Sequence, residues 1–293
     1  MTTPYALHAR AQEEAAPLPA LLAQAEQLAA TVLLGAHGRR RAGRGEDFWQ
    51  YRTMQPGDSA GQVDWRRSGR GDEVFTREHE WQVAQNLQIW CDPGASMRFA
   101  SSAELTSKAD RARLLALACS VLLIRGGERV GLLGRDAPPQ GGRAQLMRLA
   151  DALCRQDGED EEYAAPKAAG FAAQAQALFI SDFLAEPAAL EAALEQASAR
   201  GVRGVLLQVL DPGETRFPFT GRVVFESPLR SLRHESRGAG ALKERYLERL
   251  EARKAHLEHL ARLSGWRYHL HLTDHDARTA LIWLWQALGE RQG

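Results

Sequence analysis

The chain has 293 residues, 44% of them hydrophobic and 25% charged, which is the composition of an ordinary globular protein. Its 37 basic and 37 acidic residues give a formal net charge of zero, so nothing attracts the whole molecule to nucleic acid or to an anionic membrane. The three cysteines, Cys91, Cys119 and Cys154, form no CxxC pair. This argues against a disulfide framework and a thiolate zinc site, and it indicates a reducing compartment.

The N-terminal part of the sequence predicts a helix but no membrane segment. Residues 1–16 contain no apolar stretch of the kind found in secretory signals. Residues 17–34 carry leucines at helical spacing and are followed by Gly35, which predicts an amphipathic helix. The longest apolar run, residues 114–124, is too short to span a membrane as a helix. We therefore expect a cytoplasmic protein without an integral membrane segment.

Residues 36–86 differ in composition from the rest of the chain, because glycine, arginine, aspartate and tryptophan dominate them. Short strands are predicted at 48–54 and 74–81. The basic run at 37–44 has no aromatic residues between its arginines, so we interpret it as a solvated loop and expect no nucleic-acid partner.

From residue 87 onward, short apolar strands alternate with helices of ten residues or more. The strands are predicted at 87–91, 129–133, 177–181, 205–210, 223–225 and 268–272, and the helices at 107–125, 143–154, 187–200, 239–263 and 276–288. This alternation predicts an α/β fold, with a parallel-dominated sheet covered by helices on both faces. The largely apolar character of 87–91, 177–181 and 205–210 predicts that these three strands lie in the centre of the sheet.

One long stretch, GRGEDFWQYRTMQPGDSAGQVDWRRSGRGDEVFTREHE (43–80), resembles the signature of the bacterial family called "domain of unknown function 58". The matching positions are Gly43, Gly45, Phe48, Arg52, Pro56, Gly57, Asp58, Asp64, Trp65, Ser68 and Arg70. FISDFL (179–184) and QVLDPGETRFPFTG (208–221) are also similar to it. The resemblance implies a von Willebrand factor A-like domain. We expect an N-terminal helix in 1–35, the β-rich signature segment in 36–86 and the A-like domain in 87–293.

The same resemblance implies a function. Members of this family resemble, in domain content and setting, the partners of MoxR-type AAA+ ATPases, which act in assembling or activating other proteins. It therefore implies a non-enzymatic protein-interaction module or adaptor that works with a MoxR-type AAA+ ATPase on a client protein. The sequence contains no P-loop, GxGxxG or GxSxG motif that would indicate nucleotide or acyl-transfer chemistry.

Asp92 and Asp182 each follow an apolar strand, and ligands of parallel sheets bind beyond the carboxyl ends of the strands. In von Willebrand A domains, a D-x-S-x-S motif, a threonine and a second aspartate surround a divalent cation. The resemblance maps Asp92, Ser96 and Asp182 onto this pattern, whereas Gly94 stands at the first serine and the threonine has no counterpart. We interpret the site as degenerate, with Asp92 and Ser96 capping the turn, and expect no cofactor and weak or absent binding of Mg²⁺.

The signature segment offers a second group of candidate residues. They are Arg52, Asp58, Asp64, Trp65, Arg66 and Arg70. They form either an ion-pair network that ties irregular strands together or a docking surface for a partner, for which tryptophan and arginine are suitable anchors. The sequence leaves both interpretations open.

A third group consists of histidines near the C-terminus. They are His256, His259, His269, His271 and His275. Their spacing allows a zinc site, but no HExxH-type motif accompanies them, and such pairs are more often polar surface. A metal-dependent hydrolase, with zinc or magnesium, is the enzymatic alternative to the adaptor.

Overall fold

The computed structural model describes residues 17–36, 48–55, 63–69, 71, 73–79, 84–135, 137–155, 161–167, 169–230 and 233–289. The chain forms two compact units. The main unit comprises Met1–Gly38 and Gln85–Gly293, and the inserted unit comprises Arg39–Ala84.

The helices and strands alternate along most of the chain. In order they are α1 (Pro17–Ala36), β1 (Phe48–Thr53), α2 (Trp65–Ser68), β2 (Phe75–His79), β3 (Asn86–Cys91), α3 (Lys108–Arg125), β4 (Arg129–Leu132), α4 (Arg143–Cys154), β5 (Gln176–Ser181), α5 (Pro187–Ala199), β6 (Arg203–Leu210), α6 (Pro212–Arg216), β7 (Val223–Glu226), β8 (Arg233–Ser236), α7 (Gly240–Leu263), β9 (Arg267–Leu272) and α8 (Ala277–Gly289). A single 3₁₀ turn, Ala95–Arg98, follows β3.

The main unit is built on a five-stranded sheet in the order β4-β3-β5-β6-β9, in which all neighbouring strands are parallel. The three interior strands are β3, β5 and β6, which are the strands that their apolar sequences predict to be central. Because helices cover both faces, a strand such as β5 is buried along almost its whole length. The predicted fold class is therefore confirmed.

Each face of the sheet has its own hydrophobic core. On one face, Leu178 and Ile180 of β5 pack in a core shared with α3, α4 and α8, and α1 packs against these three helices from outside. On the other face, Phe179 lies in a core shared with α5 and α7. Alternate residues of one strand thus pack in two cores, which explains why residues 177–180 are all apolar rather than alternating with polar ones.

Two elements after β6 are not predicted by the sequence. The sequence Asp-Pro-Gly at 211–213 indicates a turn, but Asp211 caps a short helix, α6, in which Glu214 bonds back to the Asp211 backbone N–H. The predicted short strand 223–225 is found as β7, and it pairs with an unpredicted partner, β8. Strand β8 is largely exposed and carries no apolar alternation, which is why its sequence gives no strand signal.

The inserted unit contains an antiparallel pair, β1 and β2, with Tyr51 opposite Arg77 and an irregular register near Phe48. The short helix α2 lies between the two strands in sequence. The strand predicted at 74–81 is found as Phe75–His79.

Within the described ranges, none of the helices combines the length and the apolar character that crossing a membrane requires.

Candidate functional site

Asp92 lies at the carboxyl end of β3 and is 5% exposed. One carboxylate oxygen, Oδ1, accepts a hydrogen bond of 2.7 Å from the Gly94 N–H, and Oδ2 accepts one of 2.5 Å from the Ser181 hydroxyl. Ser181 in turn accepts a bond of 2.8 Å from the Phe183 N–H. The side chain of Asp92 therefore caps its own turn and connects the ends of two neighbouring strands.

Gly94, which stands at the first serine of the metal pattern, has no room for a side chain. A Cβ atom there would lie 2.8 Å from the backbone nitrogen of Ala164 and 2.9 Å from Asp92 Oδ1. The loop at 161–167 fills this space, because Ala95 and Ser96 donate backbone hydrogen bonds to the carbonyls of Glu161 and Glu162. The packing of this loop against the turn therefore leaves no space at position 94 for the serine side chain of the metal pattern.

Asp182, at the end of β5, bonds to a cation that the sequence does not predict. The Lys108 ammonium lies 2.8 Å from Asp182 Oδ2 and 2.6 Å from Glu214 Oε1. The side chains of Lys108 and Asp182 are each 1% exposed, and that of Glu214 is 13% exposed. We call Lys108, Asp182 and Glu214 the lysine cluster. It joins the first residue of α3 to a central strand and to α6.

The backbone holds each member of the lysine cluster in place. Lys108 directly follows Ser107, whose hydroxyl caps α3 by accepting a bond from the Asp110 N–H. Asp182 accepts a second bond, of 3.0 Å, from the Leu184 N–H. Glu214 Oε2 accepts a bond of 2.8 Å from the Asp211 N–H, and so each carboxylate has one oxygen for the ammonium and one for the backbone.

The burial of these charges changes their pKa values. Burial raises the pKa of Asp92 to about 7, and the negative charge of Asp182 adds to the increase, while the bonds from Ser181 and Gly94 oppose it. Burial alone would lower the pKa of Lys108, but Asp182 and Glu214 raise it above its ordinary value. Lys108 is therefore a permanent cation at neutral pH, whereas Asp92 is partly protonated.

The residues at this edge of the sheet do not fit a divalent cation. Mg²⁺ takes about six oxygen ligands at about 2.1 Å. The Lys108 ammonium is already bonded to the Asp182 oxygen that a metal would need, and both oxygens of Asp92 accept hydrogen bonds. Ser96 is different, because its buried hydroxyl has no hydrogen-bond partner among the described residues. One unpartnered hydroxyl is not a ligand set for Mg²⁺, and a resident ammonium opposes a second positive charge.

The structure does not gather the five histidines into a metal-binding group. His256 contacts Glu191, His269 stacks on Trp283, His271 accepts a bond from Arg111, and His275 lies near Asp274. His259 is exposed on α7. Burial, followed by the charge of Arg111, lowers the pKa of His271 to about 3, so its ring is neutral. Among the residues that the structure describes, no three histidine, cysteine, aspartate or glutamate side chains form a group that could hold a metal ion.

In the inserted unit, Asp64 has a structural role and Trp65 is exposed. Asp64 Oδ1 accepts bonds of 3.1 and 3.0 Å from the N–H groups of Arg66 and Arg67, and so caps α2. The Trp65 side chain, at the first position of this helix, is 67% exposed, and Arg66 is also exposed. Asp58, Arg70 and the side chain of Arg52 lie outside the described residues.

Sequence reasoning missed Lys108 and Glu214, although one of them carries a signal. A lysine in the first turn of a helix is disfavoured by the positive end of the helix dipole, so the position of Lys108 directly after the cap Ser107 favours a nearby anion. Glu214 gives no such signal, because it looks like an ordinary acidic residue in a turn.

The fold and the lysine cluster define an α/β protein whose parallel sheet carries buried ionisable groups at its carboxyl edge. The chain belongs to the family described as "Protein of unknown function DUF58", whose model matches residues 50–256. This confirms the family that the signature segment indicates. None of the curated proteins matches the chain significantly.

Two solved structures are similar to the chain. One is an aerotolerance-related membrane protein from Bacteroides fragilis NCTC 9343 with multiple mutations to serines, with a TM-score of 0.40. The other is the conserved hypothetical protein BatB from Bacteroides thetaiotaomicron, with a TM-score of 0.41. Each is 13% identical, and each match covers 71% of this chain and 100% of the other. At this level of similarity, neither bears on the function of the site.

Proposed function

We propose that this chain is a non-enzymatic protein-interaction module of the cytoplasm. It works as an adaptor with a MoxR-type AAA+ ATPase in the assembly or activation of a client protein, and it does so without a bound metal. The proposal combines the family's signature with the geometry of the inserted unit and of the sheet edge.

The main observation that supports the proposal is the exposed indole of Trp65. A tryptophan with 67% of its surface exposed leaves a large apolar area in water, and such residues are enriched among the anchors of protein interfaces. The Asp64 cap fixes the backbone on which this side chain stands, so little ordering is needed when a partner binds. The next residue, Arg66, is also exposed, and arginine is likewise enriched among the anchors of protein interfaces.

The sheet edge supports binding rather than catalysis. Asp182 and Glu214 both bond to the Lys108 ammonium, and Asp92, although its pKa is raised, uses both oxygens in hydrogen bonds. A general base needs an oxygen that can reach a substrate proton. Groups that are held in this way stabilise the main unit itself.

The test measures binding of the source organism's MoxR-type ATPase to immobilised adaptor by biolayer interferometry. Trp65→Ala is compared with Leu263→Ala, which removes a similarly exposed apolar side chain, 72% exposed, from the end of α7. We expect Trp65→Ala to raise Kd about tenfold or more and Leu263→Ala to leave it unchanged. Equal affinities for wild type and Trp65→Ala, with both proteins folded by circular dichroism, would contradict the proposal.

A further inference from the structure

An aromatic cavity of about 480 Å³ lies between α6, the β7–β8 hairpin and α7. Its apolar lining consists of Phe99, Phe217, Phe219, Phe225, Leu242 and Tyr246. Glu214 also lines it, so the cavity adjoins the lysine cluster. A cavity of this volume accommodates a small ligand or a large side chain of a partner.

Contacts among the aromatic rings hold the cavity open. The Phe217 ring lies 5.0 Å from that of Tyr246, 5.2 Å from Phe219 and 5.8 Å from Phe225. Phe217 ends α6 in the left-handed conformation, with φ 44°, which turns the chain so that this side chain is 5% exposed among the other rings. A non-glycine residue persists in this conformation when its surroundings hold it, so the wall is preformed.

Two exposed arginines also line the cavity. Arg245 and Arg249 line it from one face of α7, four residues apart, and both are exposed. Neither guanidinium forms an ion pair with a carboxylate of the described chain, and like charges at this spacing repel each other. A negative charge placed between them relieves this repulsion.

Three carboxylates of the cavity and the hairpin bond to other cations. Glu214 bonds to the Lys108 ammonium, Glu235 on the hairpin bonds to Arg222, and Glu226 lies 3.5 Å from Arg233. None of these three carboxylates forms an ion pair with Arg245 or Arg249. The cavity combines an apolar aromatic interior with two exposed arginines.

We propose that this cavity binds an acidic peptide segment of a partner protein that carries an aromatic or large aliphatic side chain. The apolar side chain enters the aromatic lining, and a neighbouring carboxylate pairs with Arg245 and Arg249. Charge complementarity selects an acidic segment over a neutral or basic one. The test of this site does not depend on the proposed ATPase partner, because peptide binding is measured without the ATPase.

The experiment starts from a phage-displayed library of random heptapeptides, panned against the full chain and against the double variant Arg245→Gln/Arg249→Gln. We expect wild type to enrich peptides that contain aspartate or glutamate beside an aromatic or large aliphatic residue, and the double variant not to enrich them. Enrichment of basic peptides, or the same peptides on both proteins, would overturn the proposal. Failure of wild type to enrich any peptide would also overturn it.

The most enriched peptide is then synthesised with a fluorescent label, and Kd is measured by fluorescence anisotropy. The double variant is expected to weaken binding about tenfold. Arg262→Gln, which removes an exposed arginine of the same helix outside the cavity, is expected to leave Kd unchanged. Binding to wild type is also expected to weaken as NaCl rises from 50 to 500 mM, because exposed charge pairs are screened. Equal weakening in Arg262→Gln would mean that net charge rather than the cavity binds the peptide, which contradicts the proposal.

The apolar half of the proposal is tested without changing the protein. Replacing the aromatic or aliphatic residue of the labelled peptide by alanine is expected to weaken binding at least tenfold, and an unchanged Kd would exclude the cavity as its site. Sedimentation velocity distinguishes a peptide from a second copy of the chain. A dimer of wild type that dissociates in Arg245→Gln/Arg249→Gln would show that another copy fills the cavity, and would overturn the proposal.

Discussion

The ammonium of Lys108 lies 2.8 Å from the carboxylate of Asp182, and both side chains are 1% exposed. The lysine begins α3, and the aspartate ends the central strand β5. In the metal pattern of von Willebrand A domains, the second aspartate contributes to a divalent site. Here, the charge of Asp182 is balanced by the ammonium of Lys108 in the same chain. We predict that this contact takes the place of a bound cation.

Removing the ammonium should destabilise the main unit strongly. Lys108→Met leaves Asp182 and Glu214 as buried carboxylates without a counter-charge, and the loss of one partner of a buried ion pair costs about 3 to 5 kcal/mol. We expect a loss of this size in the free energy of unfolding, measured by urea denaturation at pH 7.

The matched control is Lys254→Met, which removes a lysine that pairs with the largely exposed Glu251. This change should cost less than about 1 kcal/mol. Combining Lys108→Met with Asp182→Asn and Glu214→Gln should recover part of the lost stability, because no buried charge then lacks a partner. Similar small losses for both lysine variants would show that the lysine cluster is not a stabilising element.

The raised pKa of Asp92 should make the stability depend on pH. Because its pKa in the folded state is about 7, above the unfolded value near 4, the folded state binds this proton more tightly. The resulting stabilisation is present below about pH 4 and is lost as pH rises through 7. We expect the wild type to lose roughly 2.5 kcal/mol of unfolding free energy from this group between pH 5 and pH 8, measured by urea denaturation.

The control for this pH dependence is Asp92→Asn, which cannot ionise and still offers an oxygen to the Gly94 N–H. The unfolding free energy of Asp92→Asn, relative to that of the wild type, should increase as pH rises from 5 to 8. If this difference is the same at both pH values, the Asp92 carboxyl does not titrate in this range.

Restoring a hydroxyl at the first serine position should be unfavourable. Gly94→Ser places a Cβ 2.8 Å from the Ala164 nitrogen and forces the turn or the loop at 161–167 to move. Overpacking of this kind costs about 1 to 3 kcal/mol. Gly238→Ser, at a position where a Cβ meets nothing within 4 Å, is the control and should be close to neutral in thermal denaturation. Equal melting temperatures for the two variants would show that the turn adapts to a serine.

Within the signature segment, Asp64 and Trp65 should behave differently. Asp64→Ala removes the acceptor for the N–H groups of Arg66 and Arg67, and loss of such a cap costs about 1 kcal/mol. We expect faster hydrogen exchange of these two amides in Asp64→Ala. Trp65→Ala should leave their exchange unchanged, because its side chain is exposed. Faster exchange in Trp65→Ala would assign the tryptophan a structural rather than a docking role.

The sequence predicts the sheet well, because local composition determines which strands are buried on both faces. Residues 177–180 are all apolar, and with Gln176 and Ser181 they form the middle strand of the five. The positions of Asp92 and Asp182 follow from the same rule, since both come directly after interior strands. The sequence does not predict β8, because this strand has no apolar pattern of its own. It is a strand because it pairs with β7.

The lysine cluster and the aromatic cavity could not be predicted in this way. Lys108 meets its two carboxylates across 74 and 106 residues of sequence, and no local pattern encodes such a contact. Phe217, Phe219 and Tyr246 look like ordinary core residues until the left-handed turn at Phe217 brings their rings around an open space. The unfavourable position of Lys108 at a helix N-terminus was the one usable signal.

We predict that the Lys108 ammonium takes the place of a metal ion. The most direct test of this prediction is isothermal titration calorimetry with Mg²⁺ and Mn²⁺, in which the wild type is compared with Asp92→Ala. With Lys108 bonded to Asp182 and no room for a hydroxyl at Gly94, neither cation is expected to bind with a micromolar Kd. Titration of either cation into either protein should then give only the heat of dilution. Micromolar binding by the wild type that disappears in Asp92→Ala would contradict this and establish a working cation site.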